Sequence, residues 1–578
     1  MDATEVSASR LANQAAQSIV DGFDAYGDGF RTITRRARLR FEQRDWEGAV
    51  ADAAERLDLY GRIIDVVERD VRRTLGDRVG DRQVWPGIKA VVSSLITGRD
   101  DWELAETFFN SVTRRIFATV GVDPDIEFVA SDFEPPPGLS ESPVVRTYEG
   151  ADGPVRLMAA VLRDDWFDAP FDNLDRDAEL AGARIRDHLA GAGVAVRGVR
   201  AEVVTAPFFR RKGAYLVGRL LDGERSVPFA LALLHGEDGI VVDAVLAGET
   251  DLSVLFSFTR SHFHVEVGPP HELIRMLKLL MPVKRVAELY IAIGYHKHGK
   301  TELYRDLLTH LATTGDRFEP SPGTPGMVMV VFALPGFDVV FKVIRDAFPP
   351  VKPVTRQGVM QNYRLVFRHD RAGRLVEAQE FEHLQFDRDR FSHAVLDELG
   401  REAAQTVAMT DRHVVIHHAY VERRVTPLDL VVREAGPRRR RAAAVDFGQA
   451  VKDLAATGIF PGELLPKNFG LTRHGRVVCY DYDELSLLTD FCFRARPEAT
   501  NDDDELVDEG WFGAGPRDVF PEEFATFLGL PPDLRDVLQD RHAELFDPQF
   551  WTQVQHRVRS GEIVDIYPYA PARRLHRP

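Results

Sequence analysis

Asn468 and Asp481 stand thirteen residues apart in "LLPKNFGLTRHGRVVCYDYDE" (464–484), separated by an alternating stretch that reads as a β-hairpin. A hairpin brings its two ends together, so an amide oxygen and a carboxylate would meet there. Both are hard oxygen donors, suited to cations that bridge nucleotide phosphates. Glu463 precedes Asn468 by five residues, the acid-to-amide spacing of a phosphoryl-transfer catalytic loop. In that reading Glu463 orients the attacking hydroxyl or water, and Lys467 between them neutralises a transferring phosphoryl group.

Two upstream features fit the same chemistry. "SPGTPGM" (Ser321, Pro322, Gly323, Thr324, Pro325, Gly326, Met327) is a Gly/Pro loop between apolar strands, where free amides can face phosphate oxygens. It is no Walker loop, because no Gly-Lys-Ser/Thr follows. Lys342 lies sixteen residues after Gly326 inside the apolar strand "VVFKVIRD", far enough to return to the loop's phosphates. Taken singly, each piece has an ordinary explanation: a Gly/Pro loop is usually a turn, a mid-strand Lys usually faces water, and an Asn near a turn usually caps it. Their order and spacing together carry the phosphoryl-transfer reading.

Other motifs are set aside. "DFG" (446–448) precedes the Glu463 loop, whereas a metal-binding triplet of that kind must follow it, so Phe447 and Gly448 read as packing residues. "HFH" (262–264) lacks a third metal ligand. "RRRR" (438–441) reads as a solvated run.

These residues need a scaffold. The chain has 578 residues, 44% of them hydrophobic, enough for several cores. A net charge of −17 argues against a general nucleic-acid binder, which needs a basic surface. Two cysteines, Cys479 and Cys492, exclude a disulfide framework and fit a reducing cytoplasm. No secretory signal and no membrane span are expected, since no apolar run approaches about 20 residues. The first hundred residues have helical spacing, with Leu11, Ala15, Ile19 and Phe23 four apart. "SDFEPPPGLSESP" (131–143) reads as a loop, strands follow through "GIVVDAVLAG", and helices return over 271–315. From 316 the pattern is strand, loop, strand, turn, strand, and strands continue through "YRLVFRHDRAGRLVEAQEF" and "VVIHHAYVERRVTPL". Beyond about 445 it is mostly helical. The expected fold is α+β: a mixed, mostly helical domain over 1–315, then a bilobal kinase-like domain over 316–578, with a β-rich lobe to about 425.

Longer stretches identify a family. "GFDAYGDGF", "RFEQRDWEGAV", "GYHKHGKTELYRDLL", "GTPGMVMVVFALP", "VFKVIRD", "QEFEHL", "YVERRVTPL", "IFPGELLPKNFGLTRHGRVVCYDYDE" and "DVFPEEF" resemble the bifunctional isocitrate dehydrogenase kinase/phosphatases over nearly the whole length. The resemblance implies a regulatory domain before the kinase-like one. It implies a cytoplasmic enzyme that adds phosphate to, and removes it from, a serine of isocitrate dehydrogenase, controlling flux between the citric acid cycle and the glyoxylate bypass. ATP or ADP with Mg²⁺ or Mn²⁺ would serve both reactions, and AMP would act as an allosteric effector between the two domains. No nucleic acid or membrane is implied, and the oligomeric state stays open.

By the same resemblance, residues 321–327 form the ATP loop, Lys342 contacts ATP, and Asn468 and Asp481 bind metal. Asp483 and Glu484 belong to the phosphatase reaction. "HAYVERR" would be the hinge, with adenine against the backbone of Tyr420 and Val421, and residues around 495–515 would recognise the substrate. This chain departs from the family at Glu463 and Glu377, both active-site positions usually occupied by Asp. Each keeps the charge and moves the carboxylate by about 1 Å, a displacement that can cost on the order of 100-fold in rate. A phosphatase-dominant enzyme, or a catalytically impaired nucleotide-sensing protein that binds the dehydrogenase, are the alternatives.

Overall fold

The four-residue apolar spacing near the N-terminus produces helix α1 (Ala3–Glu42), which buries Ala12, Ala15, Ile19, Phe23, Tyr26, Phe30 and Ile33 along one stripe. Helix α2 (Trp46–Leu75) starts where the Asp45 carboxylate accepts from the Gly48 amide at 2.9 Å, and it packs along α1. Helices α3 (Trp85–Ile96) and α4 (Trp102–Phe117) complete this layer. The computed structural model describes residues 3–575 apart from 130–143, 195, 197, 224, 258–261, 267, 351, 353, 370, 496–514 and 516. The loop expected at 131–143 and most of the segment around 495–515 therefore lie outside the described residues.

A sheet follows: β1 (Val145–Gly150), then helices α5 (Pro154–Leu162) and α6 (Leu174–Gly191), then β2 (Val199–Val204), β3 (Phe208–Arg210), β4 (Gly213–Asp222), β5 (Arg225–His235) and β6 (Ile240–Ala247). Its order is β1-β2-β4-β5-β6, with β3 paired to β4, all antiparallel. Both faces are covered. Ala230 and Ala232 of β5 pack into one core with the long helices, while Phe229, Leu231 and Leu233 pack into a second with α5 and α6. That is why "VPFALALLHG" is apolar throughout instead of alternating. Helices α7 (Glu249–Leu255), α8 (Pro270–Leu280), α9 (Val286–Ala292) and α10 (His296–Thr313) finish the unit.

The second unit comprises Gly315–Ile566. Its strands are β7 (Glu319–Pro320), β8 (Met329–Leu334), β9 (Phe337–Ile344), β10 (Ala378–Asp387), β11 (Val407–Met409) and β12 (His413–Arg423). They form an antiparallel sheet ordered β10-β12-β9-β8-β7, with β11 on β12. Helix α11 (Arg356–His369) connects β9 to β10, and α12 (His393–Glu402) connects β10 to β11. The "YRLVFRH" stretch, expected as strand, is thus the second half of α11. Val359, Tyr363 and Val366 recur at helical intervals and are buried, and the short "LVF" run masks that period.

Past β12 the unit turns helical. Strand β13 (Thr426–Pro427) leads into α13 (Leu428–Glu434) and α14 (Pro437–Ala456), and β14 (Ile459–Phe460) precedes the hairpin of β15 (Phe469–Leu471) and β16 (Val477–Cys479). Helices Pro532–Arg541 and Pro548–Arg559 close a core around Trp551, Phe447 and Leu454. This is the α+β, kinase-like architecture that the motif order implies. Among the described residues no helix is long and apolar enough to cross a membrane.

By their contacts, residues 567–575 group with the first unit. Among the contacts that hold them there, with Arg573 on Asp251 and Leu575 packed on the core, are those to Asp243, buried on β6. Arg574 donates to both its carboxylate oxygens at 2.8–3.1 Å, and the Tyr569 hydroxyl donates at 2.7 Å. Arg574→Ala strips a charged donor from that carboxylate and should lower the first unit's stability by about 2 kcal/mol in denaturant melts. The double variant with Asp243→Asn should lose less than the two single losses combined.

The first unit also contains a buried histidine. His298 on α10 places Nδ1 2.8 Å from the Thr107 hydroxyl on α4, and burial lowers its pKa from 6.5 to about 3. The folded state keeps this imidazole neutral where the unfolded chain would protonate it. Stability from this site is therefore full above pH 6.5 and lost progressively as pH falls toward 3. His298→Gln should flatten that slope between pH 6.5 and 4 in melts across pH, whatever its effect at neutrality.

Candidate active site

The hairpin that carries Asn468 and Asp481 is made of two strands of three residues each, too short to stand alone. Its open end is closed by backbone hydrogen bonds: the Tyr480 and Asp481 amides donate to the Asn468 carbonyl at 3.0 and 3.3 Å. The two residues thus sit side by side, as their spacing predicts. Arg374 anchors the assembly from below. Its guanidinium, 4% exposed, donates to both oxygens of Asp446 (2.8 and 3.0 Å), to Asp453 (2.8 Å) and to the Val477 carbonyl (3.0 Å). Asp446 in turn accepts from the Val477 amide at 2.6 Å. Burial pushes the Asp446 carboxyl up, but Arg374 outweighs it and holds the group below its ordinary range.

The "DFG" residues are accounted for by this anchor. Asp446 lies on α14 as the partner of Arg374, and Phe447 packs edge-on against Phe469 with ring centroids 4.8 Å apart. A Cβ at Gly448 would stand 2.3 Å from His542 Cδ2, so the close approach of that ring requires glycine.

Above the hairpin, Lys342 projects from β9. Register pairs it with Tyr420 on β12, so Glu422, two residues on, shares its face. Lys342 Nζ lies 2.8 Å from Glu422 Oε2 and donates to the Tyr480 carbonyl at 2.5 Å. Burial works against the ammonium, yet Glu422 and then Asp481 hold its pKa above the ordinary value, so it stays charged. Helix α11 contributes at one remove: the Tyr363 hydroxyl donates to Glu422 at 3.0 Å. Glu422 was not among the residues singled out from sequence. The available signal was an acid alternating with Tyr420 along an apolar strand.

The Gly/Pro loop folds over the same cleft. Ser321, Pro322, Thr324, Pro325, Gly326 and Met327 line it together with Lys342, Glu463, Lys467, Asn468, Asp481 and Asp483. Gly323 lies behind the loop at φ +114°, where its hypothetical Cβ would be 3.2 Å from Pro427. The Thr324 hydroxyl donates to Asp429 at 3.3 Å. Met329, Val331, Val340 and Val425 give the cleft an apolar wall.

Besides Gly323, four expected residues fall outside this lining. Tyr420 and Val421 are central in the sheet, paired to Lys342 and Phe341 on one side and to Glu380 and Gln379 on the other. Their backbone is spent on the ladder, and the Tyr420 ring stacks on Tyr363 at 3.5 Å. Strand β12 runs further than the hinge reading assumed, and Arg423 and Val425 line the cleft in their place. Glu377 stands just before β10, its carboxylate accepting from Gln379 at 2.7 Å, and does not line the cleft. Glu484 does not line it either, but joins it through Lys352. That lysine, missed in the sequence among the prolines of "PPVKP", lies 2.9 Å from Glu463 and closer still to Glu484.

The donor set suits a divalent cation. The Asp483 amide donates to Asp481 Oδ1 at 3.3 Å, and burial, then the Asp481 charge, push the Asp483 carboxyl well above its ordinary value. Glu398, Glu422, Glu463, Asp481, Asp483 and Glu484 stand among Lys342, Arg345, Lys352, Arg423 and Lys467, so acids and bases are interleaved around the cleft. Among the described residues no group of three or more His, Cys, Asp or Glu could hold a metal by itself. Asn468 and Asp481, with Asp483 adjacent, offer the few hard oxygens that Mg²⁺ takes when phosphates and water complete its shell.

Arg374→Ala would leave Asp446 and Asp453 without their cation and should cost the second unit about 3–5 kcal/mol in denaturant melts. Arg374→Lys, which keeps the charge but not the planar fork, should cost less and still loosen the hairpin.

Comparisons with known proteins agree over both units. Residues 316–571 match the isocitrate dehydrogenase kinase/phosphatase (AceK) kinase domain, and residues 16–315 match the regulatory domain of the same family. An isocitrate dehydrogenase kinase/phosphatase from Anaeromyxobacter sp. (strain Fw109-5) is 51% identical over 567 residues, covering 98% of each chain. Its namesake from Xanthomonas euvesicatoria pv. vesicatoria (strain 85-10) is 42% identical over 569 residues, again covering 98% of each. Among solved structures, the ROP18 kinase domain in complex with AMP-PNP and sucrose matches at 13% identity and a TM-score of 0.22, covering 42% of this chain and 80% of that one, a likeness too slight to bear on the fold.

Proposed function

The chain belongs to the isocitrate dehydrogenase kinase/phosphatase family, and on that premise we propose that it is a bifunctional enzyme that phosphorylates a serine of isocitrate dehydrogenase and removes the same phosphate. One observation carries this beyond family membership: six residues of the loop 321–327, Lys342, Glu463, Lys467, Asn468, Asp481 and Asp483, from four separate stretches of sequence, converge on one cleft. Phosphoryl transfer asks chiefly for positioning and charge neutralisation, and this set supplies both.

In this reading ATP enters beneath the Gly/Pro loop with its base against Val331, Val340 and Val425. Lys342, held charged by Glu422, binds phosphate oxygens. Asn468 and Asp481 hold Mg²⁺ or Mn²⁺, which when bound neutralises charge on the phosphates. Glu463 orients the serine hydroxyl and accepts its proton, and Lys467, whose Nζ is 4.0 Å from Glu463 Oε2, steadies the transferring group. In the reverse direction Asp483, whose carboxyl burial favours in its protonated form, positions water for attack on the phosphoserine. Glu463 in place of the usual Asp is tolerated because Lys352 fixes where its longer side chain ends. AMP acts as the effector of the balance, and the setting is the cytoplasm, where this switch would divide carbon between the citric acid cycle and the glyoxylate bypass.

The test separates phosphorylated from unphosphorylated isocitrate dehydrogenase on a gel after incubation with the protein, Mg²⁺ and nucleotide, with and without AMP. Interconversion in both directions is expected, and Asp481→Asn should reduce each by at least about 100-fold, as removal of one charged group from such a site does. Absence of both conversions in the unmodified protein would overturn the reading.

A further inference from the structure

Lys352 holds neither of the roles assigned so far, yet it touches the carboxylates of both reactions. It stands between β9 and α11 on a short turn, its amide donating to the Pro349 carbonyl at 2.9 Å and its carbonyl accepting from the Val354 amide at 2.8 Å. The neighbouring Pro349 and Pro350 restrict the backbone leading into it. Its side chain is 9% exposed. Nζ lies 2.9 Å from Glu463 Oε1 and makes a second, shorter contact with Glu484 Oε1.

We propose that Lys352 is a positioning residue shared by the two opposing reactions, so that the division of its hydrogen bonds between Glu463 and Glu484 sets the ratio of phosphorylation to dephosphorylation. The inference rests on the proposed function, in which Glu463 serves transfer to serine, and on the resemblance, which implies that Glu484, beside Asp483, belongs to hydrolysis. An ammonium has three N–H donors around a point charge and no planar fork, so it holds two carboxylates at once and strengthens either contact at the other's expense. The effect on Glu463 is geometric: Oε1 faces Lys352 and Oε2 faces Lys467, so the two lysines hold this carboxylate from both sides. Drawing Lys352 toward Glu484 loosens the hold on Glu463, and drawing it toward Glu463 loosens the hold on Glu484. Both carboxylates are therefore coupled through one atom, and neither activity can be tuned alone.

The experiment measures kcat and KM in both directions with the full chain, for the unmodified protein, Lys352→Met, Lys352→Arg, Glu484→Gln, and Glu484→Gln combined with Lys352→Met. Lys352→Met should lower kcat in both directions by about tenfold or more while KM for ATP moves by about twofold or less, the pattern of lost alignment rather than lost binding. Glu484→Gln, which leaves Lys352 to Glu463, should speed phosphorylation several-fold while slowing dephosphorylation. In the Lys352→Met background it should have no further effect on phosphorylation, since the atom linking the two carboxylates is gone. Equal effects of Glu484→Gln in both backgrounds, or rates within about twofold for Lys352→Met, would overturn the proposal. Should Lys352→Met fail to fold, Lys352→Arg keeps the charge but imposes the guanidinium's fork, and the ratio of the two rates should shift by about threefold or more; an unchanged ratio overturns the inference. An unmodified protein inactive in both directions would instead sink the functional reading, and this inference with it.

Discussion

The site depends on one buried guanidinium. Arg374 pays its desolvation through two carboxylates and a carbonyl, and in doing so ties α14 to β16. Its own backbone continues the tie: the Cys479 amide donates to the Arg374 carbonyl at 2.7 Å, and the Val376 amide donates to the Cys479 carbonyl at 2.9 Å. A hairpin with only six strand residues is thereby spliced to the chain segment that leads into β10. Asn468 and Asp481 owe their relative position to the hairpin, but their position against Lys342 to this splice. A buried ion pair is seldom a net source of stability; here its value lies in fixing which of several registers the short strands adopt.

The legible parts of the molecule were the local ones. Asn468 and Asp481 could be paired from sequence because a hairpin closes on itself within thirteen residues, and the loop and Lys342 lie within one strand-turn-strand unit. Glu422 could not, because its place beside Lys342 follows from the register of strands about eighty residues apart. The same register removed Tyr420 and Val421 from the cleft, since the apolar run gave no sign of where pairing would stop. Lys352 was hidden for a different reason: its partners come from two loops more than a hundred residues downstream, and nothing in "PPVKP" marks a buried ammonium. Helix α11 was misread where three consecutive apolar residues obscured the helical period, and the return of residues 567–575 to the first unit rests on contacts more than three hundred residues apart in sequence, those to Asp243 and Asp251.

The electrostatics reconcile a strongly acidic protein with a polyanionic substrate. A net charge of −17 offers no long-range attraction to ATP. The cleft compensates at short range, with five basic side chains interleaved among its carboxyl groups, so that local complementarity replaces a global field.

The Lys342–Glu422 pair is built into adjacent strands of one sheet. In protein kinases at large the corresponding lysine meets a glutamate on a mobile helix, and moving the helix breaks the pair and silences the enzyme. With both partners on a hydrogen-bonded ladder, displacement of α11 could withdraw the Tyr363 hydroxyl but would leave the ion pair intact. On the proposed reading, in which Lys342 holds phosphate, that cation stays in register and the familiar route to an inactive kinase is closed. A protein that must run one reaction or its reverse has no use for an off state at the nucleotide; on that reading its control belongs where the two directions diverge.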